Sequence, residues 1–177
     1  MAKAARAIII EGDRMLVMFR NKQGSQYFTL VGGKVADGES TEQGLIREVK
    51  EETGLDITSA QLVFTEEHPE PYNQQYMYLC AVAPHAEVAL DEYSEEYLLN
   101  QLSTNIHEPL WVTTASFERL PFRTPSLQAA IVYCLRNGFP AQPVSLTDNT
   151  FYIEQMQRRQ HGMASLPKRL LGKLKKS

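Results

Sequence analysis

Residues 33–55 read GKVADGESTEQGLIREVKEETGL, and this stretch contains the strongest helix signal in the chain. Ser40 can cap a helix, and Gln43 three residues later completes a capping box. Gly54 supplies the residue at which such a helix ends in a left-handed conformation. The stretch therefore predicts a helix over Thr41–Glu52, with turns before and after it.

Three glutamates of this helix share one face. Glu48, Glu51 and Glu52 are spaced i, i+3, i+4, so they fall within an arc of roughly 100°. Their repulsion costs about 0.2–0.5 kcal/mol per pair, and a hard divalent cation with its preference for oxygen ligands would relieve it. The neighbouring arc is apolar and is expected to face the core; it contains Leu45, Ile46 and Val49.

The same stretch resembles the signature of the Nudix hydrolases at every specified position. That signature is Gly, five residues, Glu, seven residues, Arg-Glu-apolar, any residue, Glu-Glu, any residue, Gly-apolar, and here it runs from Gly33 to Leu55. The resemblance implies an α/β (α+β) fold, namely a Nudix-type α/β/α sandwich with a mixed β-sheet. The hairpin before the motif and the strands and helix after it extend the resemblance to about residue 138.

The resemblance also implies a metal-dependent reaction in which water attacks phosphorus in a nucleoside diphosphate bonded to another group. The implied cofactor is Mg²⁺ or Mn²⁺, and its expected ligands are Gly33 through the backbone carbonyl, Glu48, Glu51 and Glu52. Arg47 would orient the carboxylates by charge-assisted hydrogen bonds, and Glu39 would support the site. The residues expected to act in catalysis are Arg47, Glu51, Glu52 and Glu108.

The group that deprotonates the water stays open. Members of the family use either a glutamate of the motif or an acid in a later loop, so Glu51 is one candidate. The later candidates are Glu92, Glu95, Glu96 and Glu108. A solvated loop without a catalytic role is the other interpretation of Asp91–Glu96.

Residues outside the motif are expected to select the substrate. Arg20 and Lys34 could meet phosphate, and the aromatic candidates for stacking on a nucleobase are Tyr27, Phe28, Tyr72 and Tyr76. Packing in the core or hairpin is the other interpretation of these aromatic residues. Pro71 resembles a marker of ADP-ribose pyrophosphatases and Tyr72 a marker of dinucleoside polyphosphate hydrolases. Since both markers are present, the sequence does not distinguish nucleoside triphosphates from ADP-ribose-like diphosphates as substrates.

The flanking sequence predicts a small set of further elements from its apolar periodicity and turn residues. They are the hairpin strands Ala5–Ile10 and Arg14–Arg20, the strands Tyr27–Val31, Gln61–Thr65, Gln75–Ala83 and Leu110–Thr113, and the helix Pro125–Asn137. Asp91–Glu96 is expected to be an acidic loop.

The chain has 177 residues, 43% of them hydrophobic, and a formal net charge of −3. These values fit a folded domain and exclude a disordered chain or a uniformly basic nucleic-acid binder. Residues 1–150 carry 11 Lys/Arg and 20 Asp/Glu, whereas residues 151–177 carry 7 and 1. We therefore expect a hydrolase domain over 1–140 and a basic, helical extension over 141–177, with helices at Phe151–Gln160 and Leu166–Lys176.

Partners and location follow from the same features. The basic extension could contact an anionic surface or the acidic body, a small-molecule nucleotide is the expected substrate, and a homodimer stays open. No apolar stretch approaches the roughly 18–20 residues of a membrane span. No signal peptide precedes Cys80 and Cys134, so a cytoplasmic chain with reduced thiols is expected.

A second class of function competes with the hydrolase. A nucleotide- or RNA-binding module could keep the fold without hydrolysing anything, but such a module would be expected to lose carboxylates of the motif. Glu39, Arg47, Glu48, Glu51 and Glu52 are all present. A structural or sensor cation site, the third interpretation, leaves Arg47 and the paired glycines unexplained. The intact set favours the enzyme.

Overall fold

The computed structural model describes residues 2–68, 73–85, 87–103 and 105–147. The strands are β1 (Lys3–Glu11), β2 (Arg14–Lys22), β3 (Ser25–Thr29), β4 (Ile57–Glu67), β5 (Gln74–Val82), β6 (Asn105–Thr113) and β7 (Val144–Ser145). The helices are α1 (Thr41–Thr53), α2 (Glu95–Gln101), α3 (Thr114–Phe117) and α4 (Pro125–Asn137). In this part of the chain the strands form one mixed sheet in the order β3-β2-β1-β5-β4-β7, with β6 also paired to β2.

The hairpin of β1 and β2 opens into two halves of the sheet. The strands pair at the turn, through Ile10 with Met15. Further along, β1 runs parallel to β5, and its other edge binds the segment 31–34, because the Ala5 N–H donates to the Gly33 carbonyl at 2.9 Å. Strand β2 continues between β3 and β6 instead. A cleft therefore separates β1 from β2 at the ends of these strands that lie away from their shared turn.

Two apolar layers cover the two faces of the sheet, as the period of two along each strand requires. One layer packs under α4 and contains Ile8, Val17, Phe64, Met77, Phe117 and Ile131. The other packs under α1 and contains Ala7, Ile9, Leu16, Met18, Leu45 and Val49. Each fully buried aliphatic side chain contributes about 1.5–3 kcal/mol relative to exposure. The helix–sheet–helix order is thus fixed by alternation along β1 and β2.

The mixed α/β architecture predicted from the sequence is confirmed, and α4 has the predicted bounds. The expectation of an acidic loop over Asp91–Glu96 is wrong at its end, because the Ser94 side chain accepts from the Tyr97 N–H and caps α2 there. Ile46 was expected to face the core, but it is 43% exposed, since α1 turns only Leu45 and Val49 of that arc onto the sheet.

The sheet continues a few residues beyond residue 140, where the sequence predicts a boundary. Strand β7 runs parallel to β4 and pairs Val144 with Phe64, and Leu146 is buried in the core. The predicted helices Phe151–Gln160 and Leu166–Lys176 lie outside the described residues, so the division of the chain stays a prediction. Among the helices that are described, none has the length and apolar character needed to cross a membrane.

Candidate active site

Helix α1 is held at both ends by its own sequence. The Ser40 side chain accepts from the Gln43 N–H, and the Gln43 side chain accepts from the Ser40 N–H, so the predicted capping box is present. Gly54 ends the helix at φ 75°. The Thr41 and Tyr78 hydroxyls lie 2.6 Å apart, which ties the first turn to β5. These contacts fix which face of α1 is turned toward the segment 31–34.

The paired glycines allow this segment to approach both β1 and α1. Gly32 has φ 112°, and a Cβ there would overlap the Ala5 carbonyl oxygen. A Cβ on Gly33 would overlap the Glu48 carboxylate. Gly32 is therefore required by the backbone of β1, and Gly33 leaves room for the Glu48 carboxylate in its observed position.

Arg47 donates hydrogen bonds to four residues around this segment. Its Nε donates to Glu39 Oε1 at 2.8 Å and its Nη2 to Glu39 Oε2 at 3.1 Å, a bidentate ion pair. Its Nη1 donates to Glu48 Oε1 at 2.9 Å and to Glu51 Oε2 at 3.4 Å, and its Nη2 also donates to the Lys34 carbonyl at 3.0 Å. The hydrogen bonds with Glu39, above all, raise the pKa of Arg47. The guanidinium therefore stays charged and orients the carboxylates.

Two carboxylates of α1 are withdrawn from water. Glu52 is 3% exposed, and its Oε2 accepts from the Gly32 N–H at 2.5 Å. Burial raises the pKa of Glu52 to about 8, although the charge of Arg6 and the Gly32 hydrogen bond act the other way. Burial likewise raises the pKa of Glu48, against the hydrogen bond from Arg47. Buried carboxylates of this kind concentrate at functional sites.

The carboxylates suit a hard divalent cation by their chemistry, but they are not gathered around one point. Within the described ranges, no three His, Cys, Asp or Glu side chains are arranged to hold a metal ion. Arg47 draws Glu48 and Glu51 toward itself, and Glu52 turns to the Gly32 N–H. The Gly33 carbonyl already accepts from Ala5. The ligand set Gly33, Glu48, Glu51 and Glu52 therefore stays a prediction.

Among the later glutamates that are candidates for the base, Glu96 is the one whose charge acts on carboxylates of the motif. Glu96 is half-buried on α2, and its charge acts on Glu48, Glu52 and Arg20. Glu108 is exposed and pairs across strands with Phe19, whereas its neighbour His107 pairs with Arg20. Since neighbours along a strand point to opposite faces, Glu108 points away from Arg20. The geometry thus argues against the expected catalytic role of Glu108.

A cavity of about 410 Å³ opens between the two halves of the sheet and the start of α4. Of the predicted substrate residues it contains Arg20 and Tyr27, which are cross-strand neighbours. Burial lowers the pKa of Arg20, and its buried Nε has no hydrogen-bond partner among the described residues. Arg20 and Tyr27 therefore lie where a ligand would contact them.

Other predicted substrate residues lie elsewhere. Phe28 contacts Phe19, with ring centroids 5.4 Å apart, and packs against the core on the α4 side. It therefore takes the packing role that the sequence left as the alternative. Lys34 is exposed and does not line the cavity. Tyr76 hydrogen-bonds to Gln74, and Tyr72 lies outside the described residues.

Sequence reasoning missed several polar residues of the cavity. Arg6 and Glu66 line it, and Glu66 accepts from Ser126 Oγ at 2.8 Å while its Oε2 lies 2.8 Å from His68 Nε2. The sequences of β1 and β4 each contain a pattern that could have indicated these residues. Arg6 is two residues from buried Ile8, and Glu66 is two residues from buried Phe64, so each charge interrupts an apolar face.

Comparison with known proteins supplies a family and a fold. A sequence model described as the NUDIX domain matches residues 1–131 of the chain. An 8-oxo-dGTP diphosphatase of Proteus vulgaris is 42% identical over 45 residues, which make up 25% of this chain and 40% of that protein. The match thus spans less than half the length of this curated relative.

Solved structures share the architecture at low sequence identity. The ORF135 protein of E. coli is 22% identical with a TM-score of 0.58, covering 80% of this chain and 95% of that one. A NUDIX hydrolase from Nitrosomonas europaea is 19% identical with a TM-score of 0.57, covering 77% and 88%. An ADP-ribose pyrophosphatase from Streptococcus suis is 18% identical with a TM-score of 0.51, covering 81% and 96%. At these identities the likeness shows the fold.

Proposed function

The chain belongs to the NUDIX domain family, and on that basis we propose that it hydrolyses the diphosphate bond of a nucleoside diphosphate linked to another group. The observation that carries the proposal is the set of glutamates on one face of α1, two of them desolvated and all adjacent to Arg47 or the paired glycines. Desolvated like charges of this kind are costly unless they serve a ligand.

A divalent cation, Mg²⁺ or Mn²⁺, is part of the proposal. Glu48, Glu51, Glu52 and the Gly33 carbonyl are the groups that would hold it. Bound there, it would neutralise phosphate oxygens and make phosphorus more electrophilic. The chain's own contribution is to keep carboxylate oxygens close to the segment 31–34 while Arg47 restrains their orientation.

Glu96 is the general base in this proposal, one of the alternatives that the sequence left open. Its half-buried carboxylate interacts electrostatically with Glu48 and Glu52, which is what favours it among the later acids as the group that deprotonates a water beside them. Glu96 would take the proton of that water while the oxygen attacks phosphorus and the leaving phosphate departs. Glu51 is the competing candidate, although Arg47 already binds its carboxylate.

The cavity would receive the rest of the nucleotide. Arg20 lines the cavity and would offer its guanidinium to an oxyanion or a base carbonyl, and the Tyr27 ring would offer an apolar face. Glu66 is buried and could accept from an N–H of the base.

The free thiols of Cys80 and Cys134 support a reducing, cytoplasmic compartment.

A release assay with a nucleotide panel tests the proposal. The panel contains 8-oxo-dGTP and ADP-ribose, after which two of the similar proteins are named, together with ordinary nucleoside triphosphates, NADH and dinucleoside polyphosphates. We expect one class to be cleaved with Mg²⁺ or Mn²⁺, and Glu52→Gln to lower turnover by about 10²-fold or more, since one charge is lost at constant volume.

Glu42→Gln is the matched control, because Glu42 lies in the first turn of the same helix, away from the three glutamates. It should keep wild-type turnover. If the Glu52→Gln protein cleaves as fast as wild type, the glutamate face of α1 is not the catalytic site. Nucleotide binding without cleavage of any panel member would favour the non-hydrolysing module instead.

A further inference from the structure

The cavity has an inner end and a mouth, and each carries two cationic side chains. Arg6 and Arg20 are half-buried, and Arg20 interacts with Glu52 and Glu96, so they mark the end next to α1. Lys22 and Arg123 also line the cavity but are exposed. They therefore mark the mouth, on the side remote from the carboxylates.

Arg123 is held in place at the mouth. Its guanidinium carbon lies 5.0 Å from the centroid of the Tyr27 ring, a favourable cation–π distance. Its backbone N–H donates to the Phe28 carbonyl at 2.9 Å, and the Phe28 N–H donates to the Pro121 carbonyl at 2.9 Å. The segment 121–123 thus pairs alongside β3 through an isolated parallel bridge between Phe122 and Phe28, and it presents a positioned guanidinium rather than a freely moving one.

The cationic groups of the cavity lack acidic partners in the described part of the chain. No described carboxylate lies within salt-bridge distance of Arg6, Arg20, Lys22 or Arg123. The acid of the cavity, Glu66, is already bound to Ser126 and close to His68. Glu52 acts electrostatically on Arg6 and Arg20 from the side of α1, so Lys22 and Arg123 are the cations of the cavity that the described carboxylates compensate least, and such a pair attracts an anionic group.

A diphosphate next to α1 accounts for only half of these charges. Arg6 and Arg20 suffice to meet it at the inner end. Lys22 lies two residues beyond Arg20 on the same face of β2, which is roughly 6.6 Å further toward the mouth. A neutral sugar or base at the mouth would leave Lys22 and Arg123 without an anion.

We propose that the mouth of the cavity, through Lys22 and Arg123, binds a second anionic group of the substrate, a phosphate or carboxylate remote from the diphosphate. This inference rests on the proposed function for the position of the diphosphate. It adds nucleotides whose distal part is itself charged to the candidate substrates, and it assigns their recognition to residues that the sequence motif does not contain.

Binding without metal tests the inference independently of turnover. Calorimetry would compare AMP with adenosine 2′,5′-bisphosphate, and UDP-glucose with UDP-glucuronic acid, so that the two pairs separate a phosphate from a carboxylate at the mouth. We expect at least one charged member to bind tenfold or more tightly than its partner. The Lys22→Gln/Arg123→Gln double variant should remove that preference and leave binding of AMP and UDP-glucose within about twofold.

Arg119→Gln is the matched control, because Arg119 is exposed, lies four residues before Arg123 and does not line the cavity. Equal affinity for both members of both pairs, or a preference unchanged by the double variant, would overturn the inference, as would failure of all four probes to bind. If the preference disappears in the double variant but the protein cleaves no nucleotide, the anion site at the mouth is supported and the proposed hydrolase activity is contradicted.

Discussion

Glu39 precedes α1 by two residues, yet it is the carboxylate that holds Arg47 most closely. Both of its oxygens accept from the guanidinium, and Oε2 also accepts from the Ala36 N–H at 2.9 Å. With Nε and Nη2 fixed in this way, Nη1 is directed at Glu48 and Glu51. Glu39 is thus a positioning residue that acts on the site through Arg47.

The pH dependence of stability should reveal this role of Glu39. The hydrogen bonds from Arg47 and then from Ala36 lower the pKa of Glu39 to about 2 from 4.5. A carboxyl group whose pKa is lower in the folded state stabilises the fold above its unfolded pKa and loses that contribution as pH falls toward its folded pKa. Wild type should therefore exceed Glu39→Gln in unfolding free energy at pH 6, and the difference should shrink between pH 4.5 and 2.

Urea unfolding of the two proteins across pH 2–7 would measure the difference. Glu42→Gln is the control, since Glu42 belongs to the same region of α1 and forms no ion pair in the part of the chain that the structure describes. A gap between wild type and Glu39→Gln that stays constant through this range would mean that the ion pair with Arg47 does not stabilise the fold.

Residue-level prediction succeeded where spacing alone decided the geometry. Arg47, Glu48 and Glu51 lie on one helix, so their mutual contacts follow from 3.6 residues per turn. The proposal of Glu96 rather than Glu108 as the base depends on the face of β6 from which the Glu108 side chain projects. That face is set by the register of β6 against β2, which pairs His107 with Arg20, and no local pattern in the sequence specifies a long-range register.

At the scale of elements, local signals made α1 and α4 predictable, whereas the short helices α2 and α3 were not predicted. Helix α1 has a capping box, an amphipathic face and a C-terminal glycine. Helix α4 has Pro at its start, and its buried residues repeat at helical spacing. Helix α2 has seven residues and none is buried, so it lacks an apolar stripe, and only the Ser94 cap marks its start.

The capping box should account for a measurable part of the stability of α1. Ser40→Ala removes the acceptor of the Gln43 N–H and should lower the unfolding free energy by about 1 kcal/mol. Ser40→Asp keeps an acceptor at the N-terminus of the helix and should restore most of the loss. Chemical denaturation of the three proteins would measure these differences.

Ser59→Ala provides the comparison for a serine without a capping role, since Ser59 is exposed on β4. It should change the unfolding free energy by less than about 0.5 kcal/mol. Equal effects of the Ser40 and Ser59 substitutions would show that the cap contributes nothing beyond the surface change.

At the scale of the molecule, the cavity exists because β1 and β2 part after their shared turn. Residues far apart in sequence then meet, such as Arg6 on β1, Arg20 on β2 and Arg123 before α4. The sequence predicted the sandwich through alternation and helix periodicity, which are local. It did not predict the cavity wall, because segment 121–123 joins β3 through a backbone pairing that leaves no side-chain pattern.

If the carboxylates of α1 bind a cation as proposed, that binding will also stabilise the whole domain. A ligand that binds only the folded state raises the unfolding free energy by RT ln(1 + [L]/Kd), about 2.7 kcal/mol at a hundredfold excess over Kd. For a domain of this size the corresponding rise in Tm is about 5–11 °C. Mg²⁺ or Mn²⁺ should therefore raise the Tm of the wild-type protein measured against EDTA.

Glu52→Gln separates the effect of cation binding on the Tm from the free-energy cost of burying the Glu52 carboxyl group. In EDTA at neutral pH the variant should melt at or above the wild-type Tm, because the amide occupies the same 3% exposed position and, unlike a carboxyl whose pKa in the folded protein is about 8, does not have to bind a proton on folding. Its response to Mg²⁺ or Mn²⁺ should fall close to zero, since a ligand is lost, whereas Glu42→Gln should respond as wild type does. If the cations leave the wild-type Tm unchanged, or stabilise Glu52→Gln equally, the glutamates of α1 do not bind them. Because melting requires no substrate, this result would stand whichever nucleotide the protein cleaves.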